Sequence, residues 1–287
     1  MKLWRPSERA RSGGCTVVVV AEPGVGKTFQ ARYLGADALF IDLEGGTLAL
    51  EGEVRGEGGV VPPFQGQVIS GIGGWEEASA LMALMTGPDP YRQDGETFSR
   101  RQYEQARERY PDMAKAIAEA PVLFLDSLSW LARIVYEWAK AQPSTWVTKG
   151  GRQVQDQWAV YRLLADEMVR FVRLAQVAAA RDGKTLVMSC LLERDREIGW
   201  TLTMPGQRTA EEVRGVCDVI VALMELVVGA DGAVQLARPG LDGKRTRGFV
   251  CSRDNPWSLP VKDRSSRLAV IEPPRLDLLL AKLGGAK

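Results

Sequence analysis

The 287-residue chain contains no histidine. That absence excludes Ser-His-Asp and Cys-His catalytic pairs, an imidazole base near neutrality and any zinc site with histidine ligands. Chemistry is left to carboxylates, lysine, arginine, hydroxyls and backbone amides. Metal-type cysteine spacing is missing as well: Cys15, Cys190, Cys217 and Cys251 are far apart and form no CxxC motif. Neither a zinc ribbon nor a disulfide framework is indicated, and three of the four lie inside apolar runs, as small buried hydrophobes do. No apolar stretch approaches the roughly 20 residues that span a bilayer, and the opening MKLWRPSERARSGG lacks the apolar segment of a signal peptide. The expectation is a soluble, cytoplasmic protein without membrane contact.

What is present suits a globular core. Hydrophobic residues make up 45% of the chain and charged residues 25%, which fits one large domain over residues 1–287 better than disorder. The 37 basic and 36 acidic side chains nearly cancel, yet they are unevenly placed. Residues 41–60 carry Asp42, Glu44, Glu51, Glu53 and Glu57 against Arg55, whereas residues 238–267 hold eight Lys or Arg and three Asp. Lys2, Arg5, Arg9 and Arg11 make the start basic too. A neutral whole can therefore present a basic face.

Strand and helix signals alternate along the chain. Residues 15–21 are a β-branched run of the kind that is covered on both faces in a parallel sheet, and a Gly-rich turn and helical spacing through Leu34 follow. Further buried strands are expected at 38–42, 68–70, 121–126, 184–190 and 218–223, with helices near 75–85, 128–140, 158–181 and 210–216. This order predicts an α/β fold with a mostly parallel sheet flanked by helices. Its core spans about 14–227. Residues 86–120 read as a surface insertion, turn-rich at first and then helical with a break near Pro111. Residues 142–157 and 192–208 read as polar loops. Segments 234–237 and 247–252 alternate like antiparallel strands, which places a C-terminal β extension at about 228–270.

Ala21-Glu22-Pro23-Gly24-Val25-Gly26-Lys27-Thr28 matches a phosphate-binding loop, with alanine in place of its first glycine. Each position has a physical reason. Gly24 and Gly26 let consecutive amides converge on phosphate oxygens, Lys27 reaches the terminal phosphates, and the Thr28 hydroxyl can ligate magnesium. The motif follows a buried strand, as it must. Asp126, at the end of a second strand, supplies the carboxylate for the magnesium shell. Glu44 falls just past a third strand, on the same carboxyl edge.

With IDLEGG at 41–46 and LDSLSWL at 125–131, followed by a Thr-Leu-Val strand, the chain resembles RecA-like ATPases. The resemblance covers about residues 14–270, with 86–120 matching poorly. It is closest in kind to phage and prophage RecA-like ATP-binding proteins, some of which are single-strand annealing recombinases, and here the Asn255–Ser265 segment adds to it. The resemblance implies ATP and Mg2+ as ligands, a water-polarising role for Glu44, and self-association into a ring or filament. It also implies phage or prophage origin in a bacterial host cell and single-stranded DNA as partner, with a single-strand-binding protein as a further candidate.

The family places DNA-binding loops at positions that here are about 142–157 and 192–209. The first holds Trp146, Lys149 and Arg152; the second holds Arg194, Arg196, Trp200 and Arg208. Aromatic and cationic side chains on such segments suit base stacking and phosphate contact. Glu193, Asp195 and Glu197 offset much of the second segment's charge. Arg253 and Lys262 stand where the family's cations reach a neighbouring subunit's nucleotide. In place of the family's polar sensor after the fourth core strand stand Leu191 and Leu192, with Glu193 the nearest polar candidate. Two rivals to a DNA-stimulated ATPase are an ATP-gated oligomeric binding module with little turnover and a P-loop small-molecule kinase.

Overall fold

A computed structural model describes residues 14–56 and 59–284. The basic residues before position 13 and Glu57 lie outside them. At the centre is strand β1 (Thr16–Ala21), whose four consecutive valines are fully buried. Both its neighbours run parallel to it, so the valines are paired on both edges and both faces are free for apolar packing. The other core strands are β2 (Ala38–Asp42), β5 (Gln67–Ile69), β6 (Val122–Asp126), β9 (Thr185–Asp195) and β11 (Val219–Val228). A small hairpin of β3 (Val54–Gly56) and β4 (Gly59–Val61) lies apart from the main sheet.

The sheet order is β15-β13-β11-β1-β9-β6-β2-β5, parallel from β11 to β5. Strand β9 thus separates the phosphate-loop strand from the strand that ends in Asp126. At the other edge β13 (Lys244–Val250) runs antiparallel to β11 and β15 (Ile271–Glu272) antiparallel to β13. Two short strands, β12 (Val234–Leu236) and β14 (Lys262–Asp263), also pair antiparallel with β11. The α/β expectation, with antiparallel strands at the C-terminal end, holds.

Alternate residues of β1 face two separate apolar layers. Val18 and Val20 pack with helices α1 (Trp75–Thr86), α4 (Leu128–Ala141), α5 (Gln157–Asp182) and α6 (Gln207–Val216), through residues such as Leu81, Leu131, Phe171 and Val213. Val17 and Val19 face Ala31, Phe40, Phe124 and the leucines of α7 (Leu276–Leu283). Helix starts follow side-chain chemistry. Ser127 caps α4 and Asp156 caps α5 by accepting backbone amide protons, and Gly183 ends α5 in the left-handed region at φ 67°.

Three stretches differ from the sequence reading. Residues 142–157 are not a loop: a short turn leads into a hairpin of β7 (Trp146–Lys149) and β8 (Arg152–Gln155). Residues 192–208 are not one either, because β9 runs on to Asp195 and returns as β10 (Gly199–Leu202). The helix after the phosphate loop is a single 3-10 segment, Thr28–Tyr33. The 86–120 segment forms α2 (Arg100–Arg109) and α3 (Pro111–Glu119), and its turn-rich start is tied to α5. Asp89 accepts from Arg170 at 2.6 Å and Glu167 from Arg92 at 2.8 Å, while Phe98 is buried. Much of the stretch is exposed, and its inward contacts include these two pairs, whose carboxylates are buried while the arginines are half-buried.

Candidate nucleotide site

Phosphate-loop geometry follows from two glycines. Gly24 and Gly26 stand at φ 80° and 110°, backbone that side-chain-bearing residues rarely adopt, so the chain reverses tightly after β1. Between them Val25 is buried and anchors the loop to the lower apolar layer. Glu22, Pro23 and Gly24 are exposed at the loop's crest. Lys27 is buried and lies back along its own loop, donating to the Ala21 and Glu22 carbonyls at 3.4 and 3.5 Å. Burial pushes its pKa down, against the opposing pull of Asp126 and Glu44.

Three strand ends bring the remaining groups together. Thr28 donates to Asp126 Oδ2 at 2.6 Å, and Ser189, in the intervening strand β9, donates to Asp126 Oδ1. Desolvation nevertheless raises the Asp126 pKa, outweighing both hydroxyls and Lys27. Asp42 closes the end of β2. Its Oδ1 accepts the amides of Glu44, Gly45 and Gly46 at 3.1, 2.8 and 3.1 Å, which folds IDLEGG into a tight turn. A Leu43 amide bond to the Asp126 carbonyl, 2.7 Å long, ties that turn to β6.

The turn sits directly over the Thr28–Asp126 pair. A Cβ on Gly46 would stand 3.7 Å from the Thr28 hydroxyl and 3.9 Å from Asp126 Oδ2. Glu44 itself is exposed, with Oε1 accepting from the buried Ser127 hydroxyl. Its second oxygen has no protein hydrogen bond among the described residues. Sequence reasoning placed Lys27, Thr28, Asp126 and Glu44, and the structure brings all four to one edge. It missed Asp42 and Ser189 as positioning groups, although a lone serine within the apolar run of β9 was a usable signal. Glu193 is exposed in the β9–β10 hairpin, level with Thr201.

A Thr hydroxyl touching a buried carboxylate, with a lysine alongside, is a donor set suited to magnesium held mostly by nucleotide phosphates and water. Among the described residues no cluster of three acidic or cysteine ligands forms a protein cage. The cysteines take no part: burial pushes Cys190 and Cys217 up to about 12 and Cys251 still higher.

The remaining sequence-predicted residues lie elsewhere. Trp146, Lys149 and Arg152 are exposed on the β7–β8 hairpin, which is anchored where Trp146 Nε1 and Gln155 Nε2 both donate to the Lys140 carbonyl, at 3.0 and 2.8 Å. Arg194 and Trp200 are cross-strand partners on β9–β10, the guanidinium 5.8 Å from the ring centroid, and Arg196 is at the hairpin's turn. Arg208, on α6, is paired with Glu212 at 2.5 Å. Both hairpins adjoin the first turns of α5. One runs straight into that helix, and after the other Gly206 packs so tightly on Tyr161 that a Cβ there would come within 2.9 Å of the ring. Trp158, 86% exposed in the same turns of α5, is an aromatic that sequence reasoning passed over. Lys262 donates to the Arg214 and Gly215 carbonyls at the end of α6, whereas Arg253 is exposed.

Sheet order and site together define a P-loop ATPase fold, with a lysine–threonine loop after one strand and the buried carboxylate of Asp126 two strands away. The chain belongs to the AAA domain family, which matches it over residues 14–265. No curated protein matches it. Among the described residues no helix is long and apolar enough to cross a membrane.

Proposed function

We propose that this chain hydrolyses ATP with magnesium and uses the cycle to act on single-stranded DNA, as a self-associating protein of recombination or annealing. The observation that carries the ATPase part is the convergence of Lys27, Thr28, Asp126 and Glu44 on one sheet edge. In this reading the loop amides and Lys27 bind the phosphates, and Thr28 and Asp126 would hold a magnesium ion, whose charge would offset that of the phosphates. Glu44 then orients a water and takes its proton. Ser127 fixes one carboxylate oxygen and leaves the other free for that water. No imidazole is required, because phosphoryl transfer depends on positioning and cationic stabilisation.

The DNA part is supported by the two hairpins. Each presents a tryptophan and cations, and both stand beside the aromatic start of α5, a suitable platform for stacked bases and backbone phosphates. Strand β9 links one of them to the nucleotide site, since it carries Ser189 at Asp126 and Arg194 at the hairpin. Exposed Arg253 is the better placed of the two cations for a neighbouring subunit's nucleotide, because Lys262 is engaged with α6.

ATP turnover with and without single-stranded DNA, at two salt concentrations, tests this reading. The expected result is stimulation at low salt that weakens at high salt, and its loss in Lys149→Glu and Arg194→Glu with basal turnover kept. Absence of both stimulation and a tryptophan fluorescence change at low salt would sink the DNA assignment.

A further inference from the structure

The carboxylate cluster occupies only one side of the phosphate loop. On the other side, toward β11 and β13, a cleft of about 690 Å³ opens between Gly26, Tyr33 and Pro274. Three arginines line it, Arg55 from β3 and Arg245 and Arg247 from β13, against one carboxylate, Glu225. Arg247 stands directly over the loop, its Nη1 3.5 Å from the position that a Cβ on Gly26 would occupy. Glu225 is level with Arg247 across the β11–β13 ladder, yet among the described residues no ion pair ties up this guanidinium. The Tyr33 ring on the cleft's edge is itself held by Arg275, whose guanidinium is 4.6 Å from its centre.

Strand geometry explains how a residue so distant in sequence comes to the loop. Val20 is level with Ala222, so β11 continues past the end of β1 and carries Glu225 to the height of the phosphate loop. Its antiparallel partner β13 returns at that height, and the Glu225↔Arg247 register brings Arg247 beside Gly26. This placement is within one chain and needs no second subunit.

We propose that Arg247 is a second phosphate-binding cation of the nucleotide site, acting within its own chain from the nucleoside side of the loop. The adjoining cleft then takes the base and ribose. The proposal rests on the ATP-binding reading above and adds to it a residue and an orientation. A guanidinium presents several donors in a fixed fork that suits phosphate oxygens, and its place beside Gly26, within ordinary contact distance of the loop, lets it reach a phosphate held by the loop amides. Because Arg247 lies opposite the Glu44 and Asp126 side, its contact falls on phosphates common to ATP and ADP.

The test uses the full chain. Affinities for ATP and ADP are measured by fluorescent-nucleotide titration for wild type, Arg247→Ala and Arg247→Lys. Both nucleotides should bind at least about tenfold more weakly to Arg247→Ala, with partial recovery in Arg247→Lys. ATPase assays on mixtures of Lys27→Ala with Arg247→Ala then separate the two geometries. A cation acting within its chain leaves the mixture no more active than Arg247→Ala alone, whereas one acting on a neighbour restores turnover. Unchanged affinities, a loss confined to ATP, or restoration on mixing would each overturn the proposal. If wild type binds neither nucleotide, the underlying ATP reading falls instead. Arg247 is exposed, so its replacement leaves the core intact, and matching thermal melts of the variants verify this.

Discussion

Asp126 is buried and holds a charge that the fold disfavours. A carboxyl whose folded pKa lies above its unfolded value binds more protons when folded. Its contribution to stability is therefore fully present below the unfolded value of about 3.8 and lost as pH rises through the folded one. Near neutrality the ionised group costs stability, as functional carboxylates often do. Asp126→Asn should accordingly melt at a higher temperature than wild type at pH 7 without nucleotide, with the gap closing as the pH falls toward 4. Thermal melts across this range check it, and a gap that does not vary with pH would refute the cause. Asp42 acts by position. Removing the carboxylate in Asp42→Ala frees three amides and loosens the Glu44 turn, so turnover should fall roughly 10- to 100-fold with a much smaller change in KM. Asp42→Asn keeps an acceptor and should recover part of the rate.

At the scale of elements, the segment that follows the Glu44 turn is held by a single side chain. Arg32, buried in the helix of the phosphate loop, donates to the carbonyls of Ala49, Glu51, Gly52 and Pro62 at 2.5 to 3.2 Å. Arg32→Ala would strand all four and destabilise the protein by roughly 3 kcal/mol, measurable by urea unfolding, and Arg32→Lys would restore only a fraction. No periodicity marks such a residue, because its partners are backbone atoms far along the chain. The strands of the parallel sheet were legible for the opposite reason: continuous β-branched runs such as 16–21 signal burial on both faces. The two hairpins were not legible. β7 and β8 are mostly exposed on both faces, so their residues show little apolar alternation, and the Gly150-Gly151 turn reads equally well as a loop. In β9 the apolar run ends at Leu192, yet pairing with β10 carries the strand three residues further.

On the scale of the whole molecule, the sheet order explains why the site was readable from sequence. The phosphate loop, Glu44 and Asp126 each stand at or just past the end of a strand, so finding the strands found the carboxyl edge on which they meet. Arg247 escaped notice because it reaches the loop through an antiparallel return that only the β11–β13 register reveals. The same register leaves the phosphate loop between two unlike walls, acidic on the β2 and β6 side and basic on the β13 side. The central claim is that this edge hydrolyses ATP, and ATP binding and turnover measured in parallel for wild type, Lys27→Ala and Glu44→Gln test it most directly. Wild type should bind and hydrolyse, Lys27→Ala should lose binding, and Glu44→Gln should bind normally with turnover reduced by a hundredfold or more, on the order of what a positioned general base contributes. Turnover in Glu44→Gln equal to that of wild type would contradict the account.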